Sequence, residues 1–568
     1  MGQLRIRSAR RLCVLALSLS VIGACSTLPF AIDTKAKAPV LDGFGEATLV
    51  PSQGNEAARR LFAQGMTQTY AFNRPEAIRA FKAALAQDPE CAMCAWGVGL
   101  QMGPNINGRS RGDLREAIKY IDYAVKHSKG ASERDQALIQ AAALRYGHSS
   151  AKNLAPPADA ICRTTGDETP ADPLDIAYAM HMHQLAERFP NDPDVLTHYA
   201  EAEMVATRGV MWDPVTSKPA GRIGDMTAKV EKALATHPDH VGLNHYLIHA
   251  VDAVPVASRA VAAADKLGRL APKSPHLLHM PSHTYGHVGR YADATRVNEL
   301  AVAADEALMA ELEKQKFKKT VDWRDHNTHF QWYGALMEGR GDLALQSARD
   351  AAARAEGDYE WTEYMRTLPL LTLLHLQRWD ALAAEPLAKG EKGVAMVLSE
   401  MARGIGQVRT GKRSEAAATL ARIEARNKLL FEKHKGKGFM AKLVRDLATS
   451  SQRQLKAEIA FAEGWIDEAM KLQGEAVEAG KRPNQTEPPM LASGPRQRLG
   501  SMQLRAKRFK EAEQSFLTDL ALHPKNGWAL SGLEKSLLAQ GKETDAQKAR
   551  RELATSWAAA ETSVRAIQ

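Results

Sequence analysis

Small and apolar residues recur in this chain at fixed offsets within a unit of about 34 residues, long enough for two helices and their turns. Counting from Ala58, Gly65 is eighth, Ala77 twentieth, Phe81 twenty-fourth, Ala84 twenty-seventh and Pro89 thirty-second. Counting from Ser493, Gly500, Ala512, Phe516 and Pro524 take the eighth, twentieth, twenty-fourth and thirty-second places, with Leu499 seventh. Small residues are needed where the two helices of a unit touch, and a proline ends the second helix.

The middle of the chain keeps this register. Units starting at Val241, Pro275 and Asp325 put Ala260, Ala294 and Ala344 at the twentieth place, with a charged insert near Glu311 to Lys319 delaying the last. Degenerate units follow around Arg378-Trp379, Gly411-Lys412, Gly464-Trp465 and Lys507-Arg508-Phe509, and a cap begins at Gly527-Trp528. The pattern predicts an all-α fold, a tetratricopeptide (TPR)-type α-solenoid forming a right-handed superhelix of helical hairpins. At 568 residues the chain is too long for one compact core, whereas a stacked array grows without enlarging its core. Two irregular stretches, Ser149 to Pro173 and Thr207 to Asp225, are inserts expected at one rim of the binding face.

The first residues do not belong to the array. Arg5, Arg7, Arg10 and Arg11 precede the apolar run Leu12 to Ile22, too short to span a bilayer, which reads as an export signal over residues 1–24. It ends in Ile22-Gly23-Ala24-Cys25, similar to a bacterial lipoprotein processing site, with Cys25 as the lipidated residue; an ordinary cleaved signal is the alternative. The expected organisation is then a linker over 25–56, TPR-like repeats with inserts over 57–235, a histidine-rich centre over 236–355, and degenerate repeats with a cap over 356–568. The expected location is the bacterial cell envelope, periplasmic, with membrane contact only through the lipid anchor.

Charge excludes one class of partner. The formal +9 falls to about +5 without the leader's arginines, and no basic stripe with interleaved aromatics stands out, so nucleic acid is not expected. Cys91-Ala-Met-Cys94 is a small disulfide, a soft-metal pair or two buried helix residues.

Histidines carry the candidate chemistry. Eight of the 18 fall between His237 and His287, and His326 and His329 follow. In a TPR array the first helix of each repeat lines the concave side, mainly through places 2, 5, 9, 12 and 13. His245 and His249 hold places 5 and 9 of one repeat; His276, His279, His283 and His287 hold 2, 5, 9 and 13 of the next; His326 and His329 hold 2 and 5 of the one after. Imidazoles at i and i+4 share a helix face and can share an ion, and neighbouring helices pack about 8–10 Å apart, so two of them can reach one ion. His245, His249, His279, His283, His326 and His329 are the candidate ligands. His276, His287, Glu201, Asp252, Arg324 and Asp325 are candidates for supporting them or touching a ligand.

The cofactor expected is a transition metal ion, Cu, Zn or Fe, with Met280 and the run Met180-His181-Met182-His183 tilting the choice towards copper. A metal-free site for a small-molecule or peptide ligand in the concave groove, and plain structural hydrogen bonding, stay open beside it. Pro281, at place 7 of its repeat, either breaks the first helix or shows that this helix starts late. HExxH, GxSxG, Walker and dinucleotide motifs are missing, so an enzyme here would be metal-based, a hydrolase or oxidase, or would use isolated groups on the groove wall.

From roughly residue 57 to 560 the chain resembles a bacterial TPR-repeat family whose members are mostly uncharacterised. The resemblance rests on Tyr70-Ala-Phe-Asn73, Cys91-Ala-Met-Cys-Ala-Trp96, Gly103-Pro-Asn-Ile-Asn107, Tyr199-Ala-Glu-Ala202, Asn244-His-Tyr-Leu-Ile-His-Ala250, His279-Met-Pro-Ser-His-Thr-Tyr285, His326-Asn-Thr-His-Phe330 and Asn526-Gly-Trp528. It implies a helical array and no general activity. Where such relatives carry aromatics after paired prolines, this chain has Pro488-Pro-Met-Leu-Ala-Ser-Gly494, which implies a different choice of ligand if that stretch closes over the groove.

Overall fold

The structure is a computed structural model that describes residues 30–107, 114–147, 171–207, 211–213, 216–318, 322–357, 359–388, 393–492 and 494–567. The export signal, Cys25, Cys162 and most of the 149–173 insert lie outside the described residues. Among the described residues there is no strand and no helix long and apolar enough to cross a membrane.

The N-terminal half runs α1 (Glu56–Tyr70), α2 (Arg74–Gln87), α3 (Ala92–Met102), α4 (Arg115–His127), α5 (Glu133–Arg145), α6 (Pro173–Arg188), α7 (Pro193–Thr207) and α8 (Ile223–Thr236). The centre follows as α9 (Val241–Ala250), α10 (Val261–Leu270), α11 (Pro275–His279), α12 (Pro281–Val288), α13 (Tyr291–Lys314), α14 (Arg324–Met337) and α15 (Gly341–Arg354). Further helical hairpins continue to Arg565. The fold is all-α and of TPR type.

The offsets that define the repeat act as close contacts. A Cβ on Gly65 or Gly97 would lie 2.5 or 2.6 Å from the Phe81 ring, so that ring seats between two helices only because both positions are glycine. Phe516 sits in the same way between Gly500 and Gly532 near the other end. Capping side chains start the helices: Asn55 accepts from the Ala58 amide, and Ser132, Asp172 and Ser274 cap α5, α6 and α11. Many of the hairpin turns use one residue with left-handed backbone. Gly289, Gly339, Gly411, Gly464 and Gly541 supply it in five of them, whereas Gln377 and Lys507 supply it in two others and Phe72 (φ 52°) between α1 and α2.

The array curls until its parts meet. Trp528 Nε1 donates to the Leu336 carbonyl (2.8 Å), Trp557 Nε1 to the Met337 carbonyl (3.0 Å), and the Tyr291 hydroxyl to the Pro524 carbonyl (3.0 Å). The C-terminal repeats therefore pack back on α13 and α14. Residues 39–53 form a strap over the first half: Gln315 Nε2 donates to the Val40 carbonyl (2.9 Å), the Lys273 amide to the Gly43 carbonyl (2.9 Å), and Ser52 Oγ to Asp135 (2.7 Å). Cys91 and Cys94 are joined in a disulfide at the start of α3.

Candidate metal centre

Four helices, α9, α11, α12 and α14, bring six imidazoles together as two triads. In the first, His245 Nε2 lies 3.1 Å from His249 Nε2 and 3.1 Å from His276 Nε2. In the second, His279 Nε2 lies 3.0 Å from His283 Nε2 and 3.1 Å from His326 Nε2. Each triad takes places 5 and 9 of one repeat and place 2 of the next, so the repeat symmetry of the array builds the same tripod twice. The third member is 31 residues from the first in one triad and 47 in the other. The extra residues are taken up by the long α13 and the turn that follows it. Ring centroids stand 4.6–6.3 Å apart inside a triad, and 6.1 Å (His276–His279) and 6.3 Å (His249–His283) across the two.

The rear nitrogens decide which way the lone pairs face. His245 Nδ1 donates to the Tyr70 carbonyl (2.7 Å), which can only accept. His279 Nδ1 meets Asn298 Oδ1 (2.7 Å), whose amide nitrogen is spent on the Ala294 carbonyl. His283 Nδ1 meets Asp252 Oδ2 (2.8 Å), with Glu487 Oε2 at 3.4 Å. With Nδ1 holding the hydrogen, Nε2 of His245 and His279 carries a lone pair aimed into a triad, and Nε2 of His283 does so once its second proton has left. Backbone carbonyl, amide and carboxylate are the groups that orient metal-binding histidines. The converging Nε2 atoms lie about 3 Å apart, a spacing that an N–H of one ring or a bound cation can bridge, so these residues fit a bound ion.

Burial sets the charge state. It drives His245, His276 and His279 well below the ordinary histidine range, with neighbouring imidazoles adding to the effect, and takes His249 and His326 down to about 3. His283 is the exception. Burial opposes its charge, but Asp252, helped by Glu487, overrides that and pushes it up to about 10. The protonated ring then donates from Nε2 to His279, and a proton occupies the second triad.

Aromatic rings wall the centre. Phe72, held by its left-handed turn, packs on His245 (4.5 Å), His276 (5.0 Å) and His249 (5.4 Å). Phe330 packs on His279 and His283 (4.6 and 4.5 Å), and Trp323 on His276 (4.6 Å). His245 and His279 are fully buried, and only His249 and His326 of the six keep partial exposure. The chain's own segments, Phe72 from the first hairpin and Glu487 beside Pro488, thus cover what the repeat pattern describes as groove wall.

Of the remaining candidates only His276 joins a triad. His329, three residues after His326 on α14, points away: its Nε2 donates to the Tyr364 hydroxyl (3.0 Å), which itself donates to the Met490 carbonyl (2.9 Å). Place 9 of that repeat is Tyr333, so a third tripod has no second histidine. His276, expected to support, sits inside a triad. His287 Nε2 meets the other oxygen of Asp252 (2.9 Å). Glu201 lies behind Phe72 in a small cavity with Arg74 and Tyr246. Arg324 is clamped by Asp322 (2.6 Å) and Asp325 by Arg354 (3.0 Å), neither reaching a triad. The Met180–His183 run lies on α6, where His183 meets the Tyr199 hydroxyl (3.1 Å). Pro281 starts α12 directly after α11; Met280 keeps helical backbone between them, so the helix loses a bond there without bending into a loop. Phe72, Trp323, Phe330, Asn298 and Glu487 were not singled out from the sequence, although Phe72 and Phe330 lie in motifs that were and Trp323 lies beside the candidates Arg324 and Asp325.

No family profile and no curated protein matches this sequence. Solved structures similar to it include a human IFIT1 dimer with m7Gppp-AAAA, 10% identical over 89% of this chain and 96% of that one, with a TM-score of 0.31. Yeast Tom70 is 13% identical over 88% of this chain and 91% of that one, with a TM-score of 0.27.

Proposed function

We propose that this protein is an exported, lipid-anchored protein of the bacterial cell envelope whose TPR-type array holds transition metal ions, one in each histidine triad. The reading of location rests on the leader over residues 1–24 and on Cys25. The reading of function rests on one observation: three Nε2 atoms converge twice, with three of the rings fixed from behind by groups that hold Nδ1–H and turn Nε2 inward.

Three neutral nitrogens per ion leave a fourth position open, so a bound ion supplies a Lewis-acidic centre able to take an exogenous ligand. The chain's part is to fix ring orientation through Tyr70, Asn298 and Asp252 and to exclude bulk water with Phe72, Phe330 and Trp323. A metal-free scaffold that takes a peptide in this stretch is the weaker alternative, because Phe72 and Glu487 already occupy the approach.

Elemental analysis of chain purified without a histidine tag tests the reading. The expected result is two transition metal ions per chain, lost when His245 and His283 are both replaced by alanine. A folded chain that takes up no transition metal on titration would overturn it.

A further inference from the structure

The donor set narrows the ion. Both triads are built from imidazole alone, with neither thiolate nor carboxylate among the six converging atoms. Non-haem iron sites that handle oxygen add a carboxylate to two histidines, and neither triad has one. A pair of zinc ions would place four positive charges among neutral ligands in a buried site, where uncompensated charge is costly. Asp252 and Glu487, the acids at hand, face Nδ1 of His283 on the far side of its ring and not the space between the triads. Cuprous ions bring half that charge and are satisfied by three neutral nitrogens.

The arrangement narrows the ligand as well. The spacing across the triads, 6.1 and 6.3 Å between ring centroids, matches the widest spacing within one, so two ions held there would be neighbours facing a shared gap. The rings of Phe72 and Phe330 pack one on each triad, and four of the six histidines are buried. A ligand for two open positions in such a place has to be small, uncharged on entry and able to bridge.

Resting on the metal-binding reading above, we propose that the two triads hold a pair of copper ions that binds dioxygen reversibly between them. In the binding step dioxygen accepts one electron from each of two cuprous ions, one per triad, and is held at the peroxide level across two cupric ions. No proton is consumed and no bond of the protein is broken. Release of dioxygen returns both electrons.

The test uses the untagged full chain loaded anaerobically with cuprous ion and then exposed to dioxygen. The expected result is two copper ions per chain, one dioxygen taken up per pair, and a near-ultraviolet charge-transfer band that vanishes on degassing. The oxygenated form should be silent in electron paramagnetic resonance because the two cupric spins couple. His326→Ala should bind one copper and take up no dioxygen; His249→Ala, at the other partly exposed ligand, does the same for the other triad and serves if the first variant loses its helical signal. Two coppers bound without stoichiometric uptake, or with the signals of isolated cupric ions, would overturn the dioxygen proposal and leave the metal reading standing. Zinc bound in place of copper would do the same. Failure to bind any transition metal would instead remove the reading beneath it.

Discussion

Asp252 and His283 form a buried ion pair at the centre: Oδ2 of the acid lies 2.8 Å from Nδ1 of the ring, and both side chains are about 6% exposed. The acid follows α9 and the histidine lies on α12, so one repeat aims the ligand of the next. Burial pushes Asp252 up, but the paired imidazoles outweigh it and hold the acid well below the ordinary carboxylate range.

Asp252→Asn keeps an acceptor for Nδ1 and removes the charge. Metal affinity should fall about 10–100-fold, the usual cost of losing such a partner. Competition titration against a chelator of known affinity measures it. A change below twofold would mean that Asp252 does not orient a ligand.

Metal binding should release a proton. His283, pushed up to about 10, carries two protons at pH 8 in the metal-free protein, and one of them occupies the ligand position. Calorimetry at pH 8 in buffers of different ionisation heat should show about one proton released per chain on filling both triads. The other five histidines contribute none, being already neutral. The same group makes metal-free stability depend on pH. Its folded value lies above the unfolded value of about 6.5, so the stabilisation is complete below 6.5 and lost as pH rises through about 10, with a slope of at most about 1.4 kcal/mol per pH unit. Urea midpoints between pH 6.5 and 10 measure this, and metal loading should flatten the trend.

Phe72 combines strained backbone with a buried ring. Phe72→Ala removes the ring and keeps a Cβ in the left-handed region, whereas Phe72→Gly removes both. Each should destabilise by several kcal/mol from lost packing, about 3–5 for a buried phenylalanine. The glycine variant should be the more stable of the two by about 1 kcal/mol, the reverse of the usual order. Denaturant unfolding of the pair decides; alanine more stable than glycine would rule out the strain.

Gly97→Ala places a methyl 2.6 Å from the Phe81 ring, against a residue clamped from both sides. It should cost about 1–3 kcal/mol by overpacking. Gly474→Ala, with open space around it inside a helix, should be neutral or slightly stabilising. Thermal melts of the two variants separate packing from propensity.

The helical repeat was legible because it is local: Gly65, Ala77, Phe81 and Pro89 report helix-on-helix contact at fixed separations, and the structure uses them that way. Which helix face bears His245, His249, His279 and His283 was legible too, since a spacing of four residues determines it. The make-up of each triad was not. His276 completes one only because the next repeat stacks at the right angle, and His329 drops out because it lies three residues from His326 with Tyr333 where a second histidine would be needed. The covering by Phe72 and Glu487, from opposite ends of the chain, depends on how far the array curls. That curl sums small rotations between repeats, each set by packing that no short stretch of sequence specifies, so tertiary structure alone decided that the histidines line an enclosed centre and not an open wall.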